Sequence, residues 1–238
     1  MSKIINYENL RSFAYTNDKL IKGEIKGVAI DFFGLGGQAM YKDDTETGKM
    51  LAEHNILFFI PYANPWGWMN KQEIALTDEI MDVLFDHYKL DEKTPIVSTG
   101  GSMGGLCSLV YAYYAKRTPV ACVSNCPVCD LPYHFTERED LPRTLYSAFG
   151  DYEGELYDVL AKYSPYHLAS TMPKIKYTIF HCSSDSAVNI QIHSDKFVKA
   201  MQENERDIVY HIVPNREHCD LGDEARMLYY QAIIDAVK

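Results

Sequence analysis

The chain has 238 residues, 47% of them hydrophobic and 24% charged, with a formal net charge of −10. That length supports one sizeable core and is short for two ordinary domains, so residues 1–238 are expected to form a single domain. The balance is that of a globular chain, and the acidity argues against nucleic-acid or anionic-membrane partners, which need a basic face.

The opening residues, Met1-Ser2-Lys3-Ile4-Ile5-Asn6-Tyr7-Glu8, hold no uninterrupted apolar segment of the secretory type. No stretch approaches the roughly 18 apolar residues that span a bilayer. Six cysteines, at 107, 122, 126, 129, 182 and 219, lie mostly inside or at the ends of apolar runs. Scattered thiols without a secretion signal fit a cytoplasmic location. Cys126-Pro127-Val128-Cys129 has redox spacing, but it opens into Asp130-Leu131-Pro132 rather than a helix, and a second CxxC is absent. Buried thiols near a pocket are the preferred reading, with no metal assigned.

In chain order, a strand near residues 11–16 and a turn at 17–18 come first. Apolar runs of strand length follow at 27–33, 56–61, 95–99, 120–125, 175–182 and 208–213. Most are rich in Val, Ile, Phe or Tyr and unbroken by charge, as in strands covered on both faces. Helical periodicity appears at 73–88, 103–116, 195–202 and 223–237. Alternation of strand and helix predicts an α/β fold with a mainly parallel central sheet and helices on both faces. Ligands then bind beyond the carboxyl ends of the strands. Residues 130–172, rich in Tyr, Pro and acids, break the rhythm and are expected to form a lid insertion.

After the strand at 95–99 comes Gly100-Gly101-Ser102-Met103-Gly104-Gly105, then a helix. This is G-x-S-x-G in the setting that gives it meaning, where a sharp turn lifts a serine hydroxyl above the sheet. A glycine-rich turn can also cap a helix or cradle phosphate, but the G-x-x-x-x-G-K-[ST] pattern is absent. Ser102 is therefore the candidate nucleophile. His218 follows the last predicted strand and precedes the final helix, a loop position from which an imidazole can reach the serine.

These residues resemble the α/β-hydrolases. The Gly-Gly-Ser-Met-Gly-Gly elbow is similar to those of esterases and prolyl-oligopeptidase-like hydrolases, and the resemblance runs from about residue 26 to near the end. It implies the α/β-hydrolase fold and the order nucleophile, acid, histidine. The segment Ile179-Phe180-His181-Cys182-Ser183-Ser184-Asp185-Ser186-Ala187-Val188 resembles the strand-end segment carrying the acid, which makes Asp185 the acid for His218. Asp130, after the preceding strand, is the rival. Asp31-Phe32-Phe33-Gly34-Leu35-Gly36-Gly37 resembles the H-G-x-G loop, with Phe33 where histidine is common. By that likeness the amides of Leu35 and Met103 form the oxyanion hole.

Substrate is expected against Gly34 and Val188. Pro61-Tyr62-Ala63-Asn64-Pro65-Trp66-Gly67-Trp68-Met69-Asn70 holds both tryptophans. It forms either a wall of the pocket, with Trp66 the lining residue, or a plug of the core beneath the insertion. The reading is a serine hydrolase that cleaves a small-molecule carboxylic ester through an acyl-enzyme, without metal or organic cofactor. Two alternatives stay open. One is a prolyl-oligopeptidase-like peptidase, suggested by the elbow and Tyr163-Ser164-Pro165, although the gating domain of many such peptidases has no room in this chain. The other is a binding protein that keeps the scaffold without turnover. The oligomeric state is left open.

Overall fold

The structure, a computed structural model, describes residues 4–238. Its centre is a seven-stranded sheet of order β1-β3-β2-β4-β5-β6-β7. The strands are β1 (Ala14–Thr16), β2 (Gly27–Phe32), β3 (Ile56–Pro61), β4 (Ile96–Gly101), β5 (Ala121–Asn125), β6 (Lys176–Cys182) and β7 (Asp207–Val213). Only β1 pairs antiparallel, to β3, and the other neighbours run parallel.

The apolar runs of β2 to β5 are unbroken because helices cover both faces. Val28, Ile30 and Phe32 face α2 (Lys71–Tyr88) and α3 (Met103–Tyr114), while Ala29 packs with α1 (Glu46–Glu53) and α9 (Gly222–Ala236). Helix α8 (Lys196–Glu203) covers Tyr177 and Ile179 of β6. In α3, Leu106, Leu109, Val110 and Tyr111 are wholly buried. Each large apolar side chain so buried contributes about 1.5–3 kcal/mol before entropic costs.

Sequence periodicity does not announce α1. Only Gly48, Leu51 and Ala52 are buried on its eight residues, too few to mark a helical stripe, and it starts because Thr45 Oγ1 accepts from Gly48 N at 2.9 Å. The expected N-terminal strand is shorter than residues 11–16, since a 3-10 turn takes Leu10–Ser12. Asn17, wholly buried, ties this region down. Its Nδ2 donates to Gly48 O and Ile56 O at 2.9 and 3.1 Å, and its Oδ1 accepts from Phe58 N at 2.7 Å.

The stretch 130–172 carries α4 (Leu131–His134), α5 (Leu141–Phe149), α6 (Leu156–Lys162) and α7 (Pro165–Leu168). Asp130 caps α4, accepting from Tyr133 N at 3.1 Å. Ser164 Oγ accepts from Leu131 N and donates to Cys129 O, at 3.1 and 2.9 Å, fastening the far end of the insertion to its start. Leu141, Leu145 and Phe149 join the core cluster that contains Trp68, so the insertion packs as a wall. No helix among the described residues is long and apolar enough to cross a membrane.

Candidate active site

The turn between β4 and α3 forces Ser102 to φ 59°, ψ −125°, a left-handed conformation costing about 1–3 kcal/mol in a non-glycine residue. Glycines make the turn possible. A Cβ on Gly104 would lie 2.0 Å from Phe32 O, and one on Gly100 would lie 2.3 Å from Gly104 O. Ser102 N donates to Asn125 O at 2.9 Å, holding the elbow to the end of β5. On the other side, a Cβ built on Gly34 would stand 3.9 Å from Ser102 Cβ, so the loop after β2 lies directly against the serine.

Asp185 follows β6, and His218 follows β7. His218 Nδ1 meets Asp185 Oδ2 at 2.6 Å. The other carboxylate oxygen accepts from Ala187 N at 2.9 Å and Val188 N at 2.8 Å. Burial would raise the pKa of Asp185, but bonds from His181 and His218 and the Val188 amide outweigh it and hold the carboxyl below its ordinary range. Burial likewise pushes His218 down, yet the bond and charge of Asp185 dominate and raise it.

Asp130, the rival acid, spends its side chain capping α4, with His167 Nε2 at 3.5 Å. Asp185 is the acid that His218 meets. Ser102 and His218 line one cavity of about 710 Å³ with Gly34, Leu35 and Val188. Among the described residues no hydrogen bond joins the Ser102 hydroxyl to His218, whose Nε2 instead has Cys219 Sγ at 3.7 Å. Leu35 N and Met103 N donate to no acceptor among the described hydrogen bonds. Phe33, in place of the usual histidine, stacks on Tyr41 with ring centres 6.1 Å apart.

The tryptophans exchange their expected places. Trp66 is not among the lining residues and lies under the Arg143 guanidinium, 5.3 Å from its ring centre. Trp68, nearly fully buried, lines the cavity instead and donates to Thr144 Oγ1 at 3.1 Å. Consecutive positive φ values at Trp68 and Met69, 49° and 53°, turn the chain so that the second indole faces inward.

Several site residues escape sequence reasoning. His134, Arg138 and Asp140 of the insertion line the cavity. Glu137 Oε2 meets His134 Nδ1 at 2.6 Å and His193 Nε2 at 3.0 Å, and Oε1 accepts from Asn189 N at 3.3 Å. Glu137 thus straps the insertion to the loop that carries Val188. Asn125 Nδ2 donates to Cys219 O at 3.1 Å, steadying the histidine loop. His181 Nδ1 accepts from Ser194 Oγ at 2.6 Å, while Nε2 faces Val188 O at 3.1 Å and Asp185 Oδ2 at 3.3 Å. Position at the carboxyl edge was the one available signal for Asn125 and His181.

The cysteine pair does not act as a unit. Cys129 Sγ faces Pro127 O at 3.6 Å inside the cluster under α8, whereas Cys126 Sγ accepts from Cys182 N and Cys219 N at 3.3 and 3.4 Å.

The profile of the prolyl oligopeptidase family matches residues 70–235. The chain belongs to that family. As a member of it, this chain carries the α/β-hydrolase fold. No curated protein matches the chain. Among solved structures it is similar to the Pyrococcus horikoshii acylaminoacyl peptidase, with 14% identity and a TM-score of 0.71 over 90% of this chain and 37% of that one. A Mycobacterium tuberculosis puromycin-hydrolyzing peptidase gives 15% and 0.72, over 91% of this chain and 34% of its own. Esterase PE8 gives 14% and 0.61, over 90% of this chain and 94% of its own. At these identities the likeness is one of fold. The chain spans about a third of each peptidase and nearly all of the esterase.

Proposed function

We propose that this member of the prolyl oligopeptidase family hydrolyses small carboxylic esters through an acyl-enzyme on Ser102. The observation carrying the reading is the 2.6 Å bond between His218 Nδ1 and Asp185, at the rim of the cavity that Ser102 lines. With Nδ1–H donating to Asp185, a neutral imidazole keeps Nε2 unprotonated and able to take the serine proton. Such contacts are commonly long without substrate and tighten when it binds. The serine oxygen attacks the carbonyl, and the uncommitted amides of Leu35 and Met103 receive the oxyanion, each donor contributing about 3 kcal/mol in the transition state. His218 returns its proton to the leaving alkoxide, and water repeats the cycle. Phe33, Leu35, Trp68 and Val188 give the cavity an apolar wall suited to an acyl or aryl group.

Membership of the family favours a second reading, cleavage of aminoacyl or prolyl amides by the same machinery. A panel of aryl esters and aminoacyl anilides, with Ser102→Ala as control, separates the two. Ester turnover far above anilide turnover, lost in the variant, is expected. Anilide turnover as efficient as ester turnover would favour the peptidase.

A further inference from the structure

The described cysteines all carry free thiols, and two of them flank the catalytic imidazole. Cys126 Sγ, Cys219 Sγ and a ring nitrogen of His218 lie within 4.8 Å of one another. We infer that these three side chains form a binding site for a soft divalent cation of the zinc type, and that its occupation shuts the enzyme off.

Geometry argues for it first. Cys219 Sγ stands 3.7 Å from His218 Nε2. On a tetrahedral zinc, with Zn–S near 2.3 Å and Zn–N near 2.05 Å, those two ligand atoms sit about 3.6 Å apart. The two sulfurs would need about 3.8 Å, inside the 4.8 Å that bounds their separation here.

The surroundings supply what such ligands require. Asp185 already holds Nδ1, which orients the imidazole and leaves Nε2 as the donor, the carboxylate–histidine–metal pattern. Cys126 Sγ faces two backbone N–H donors, from Cys182 and Cys219, which stabilise a thiolate in a buried site. Cys219 is partly exposed and lines the Ser102 cavity, so an ion has a path in. Binding releases the two thiol protons to solvent, and the ion with two thiolates is then neutral overall. Three protein ligands leave a fourth position for water.

Among the described residues two other clusters meet the same distance condition, but in each one histidine has both ring nitrogens engaged. His193 Nδ1 accepts from Cys129 N and Asp130 N, which fixes the proton on the Nε2 facing Glu137. His181 Nε2 donates to Val188 O, and its Nδ1 takes the Ser194 hydroxyl. His218, held through Nδ1 alone by Asp185, keeps Nε2 for a metal.

The inhibitory consequence rests on the proposed hydrolase mechanism, because the ion would occupy the lone pair that takes the Ser102 proton. Binding itself does not. The test is therefore a titration of the full chain with cadmium chloride, followed by thiolate-to-cadmium charge-transfer absorption in the ultraviolet, with ester turnover read in parallel. One ion per chain is expected, displaced by zinc and removed by EDTA, with turnover lost and then restored. Cys219→Ser, at a partly exposed position, should weaken binding about a hundredfold or more, whereas Cys107→Ser should leave it unchanged. A wild-type chain without the absorption, or a Cys219→Ser chain that binds as tightly as wild type, overturns the site. Cadmium binding that follows this pattern in a chain with no ester or amide turnover leaves the site standing and removes the hydrolase reading instead.

Discussion

His181 Nε2 lies 3.3 Å from Asp185 Oδ2, the same carboxylate oxygen that His218 Nδ1 holds at 2.6 Å. The acid is thus gripped from two sides, by a wholly buried histidine at the end of β6 and by the histidine of the β7–α9 loop. His181 does not reach the cavity, and its part is to fix the carboxylate that aims His218. Replacing His181 with Leu should lower kcat by about ten- to a hundredfold while leaving KM nearly unchanged, since misplacement by an ångström costs that much. Steady-state kinetics on an aryl ester check this. A raised KM at unchanged kcat would speak against it.

The elbow glycine at 104 has no room for a methyl group, because Phe32 O would be 2.0 Å from it. The contact is backbone against backbone, so no rotamer relieves it. Gly104→Ala should destabilise the fold by about 3 kcal/mol and lower turnover sharply. Urea denaturation measures the first, and a loss below about 1 kcal/mol would contradict the packing described.

Asn17 anchors three backbone groups of α1 and β3 with one side chain. Asn17→Leu leaves those groups buried without partners, at a cost of about 2–4 kcal/mol. Thermal or urea unfolding reports it, with turnover at low temperature largely retained because the site lies on other strands.

Much of the site was legible because its chemistry is local. Gly100-Gly101-Ser102-Met103-Gly104 sits between a readable strand and a readable helix, loop His218 follows the last strand, and the resemblance to the α/β-hydrolases pointed to the strand-ending Asp185 while leaving Asp130 open. What escaped depends on distance in sequence or on backbone torsions. Glu137 meets His193, which lies 56 residues away, and nothing beside either residue announces the other. The exchange of Trp66 for Trp68 turns on two positive φ values that the residue types do not demand. Helix α1 buries too little for its period to be read.

Glu73 offers a pH-dependent test of the wall beneath the insertion. It is buried, its Oε2 accepts from Met69 N at 2.8 Å, and its Oε1 has no partner among the described residues. Burial raises its pKa to about 7, against the lowering effect of the Met69 amide. The folded-state pKa lies above the unfolded one, so the unfolded chain loses this proton first as pH rises. Stability from this group therefore falls between the ordinary glutamate range and about pH 7. Glu73→Gln removes the ionisation, and its stability relative to wild type should improve by about 3 kcal/mol from pH 4 to pH 8. Denaturation curves at the two pH values check it. A difference that stays constant with pH would contradict a buried, titrating Glu73.

The most direct test of the central claim is intact-mass analysis and peptide mapping after reaction with a fluorophosphonate. A single adduct on Ser102 is predicted, formed rapidly in the wild type, absent in Ser102→Ala and strongly slowed in His218→Ala and Asp185→Ala. A wild-type chain that stays unlabelled, an adduct on another residue, or a His218→Ala chain labelled at the wild-type rate would contradict it.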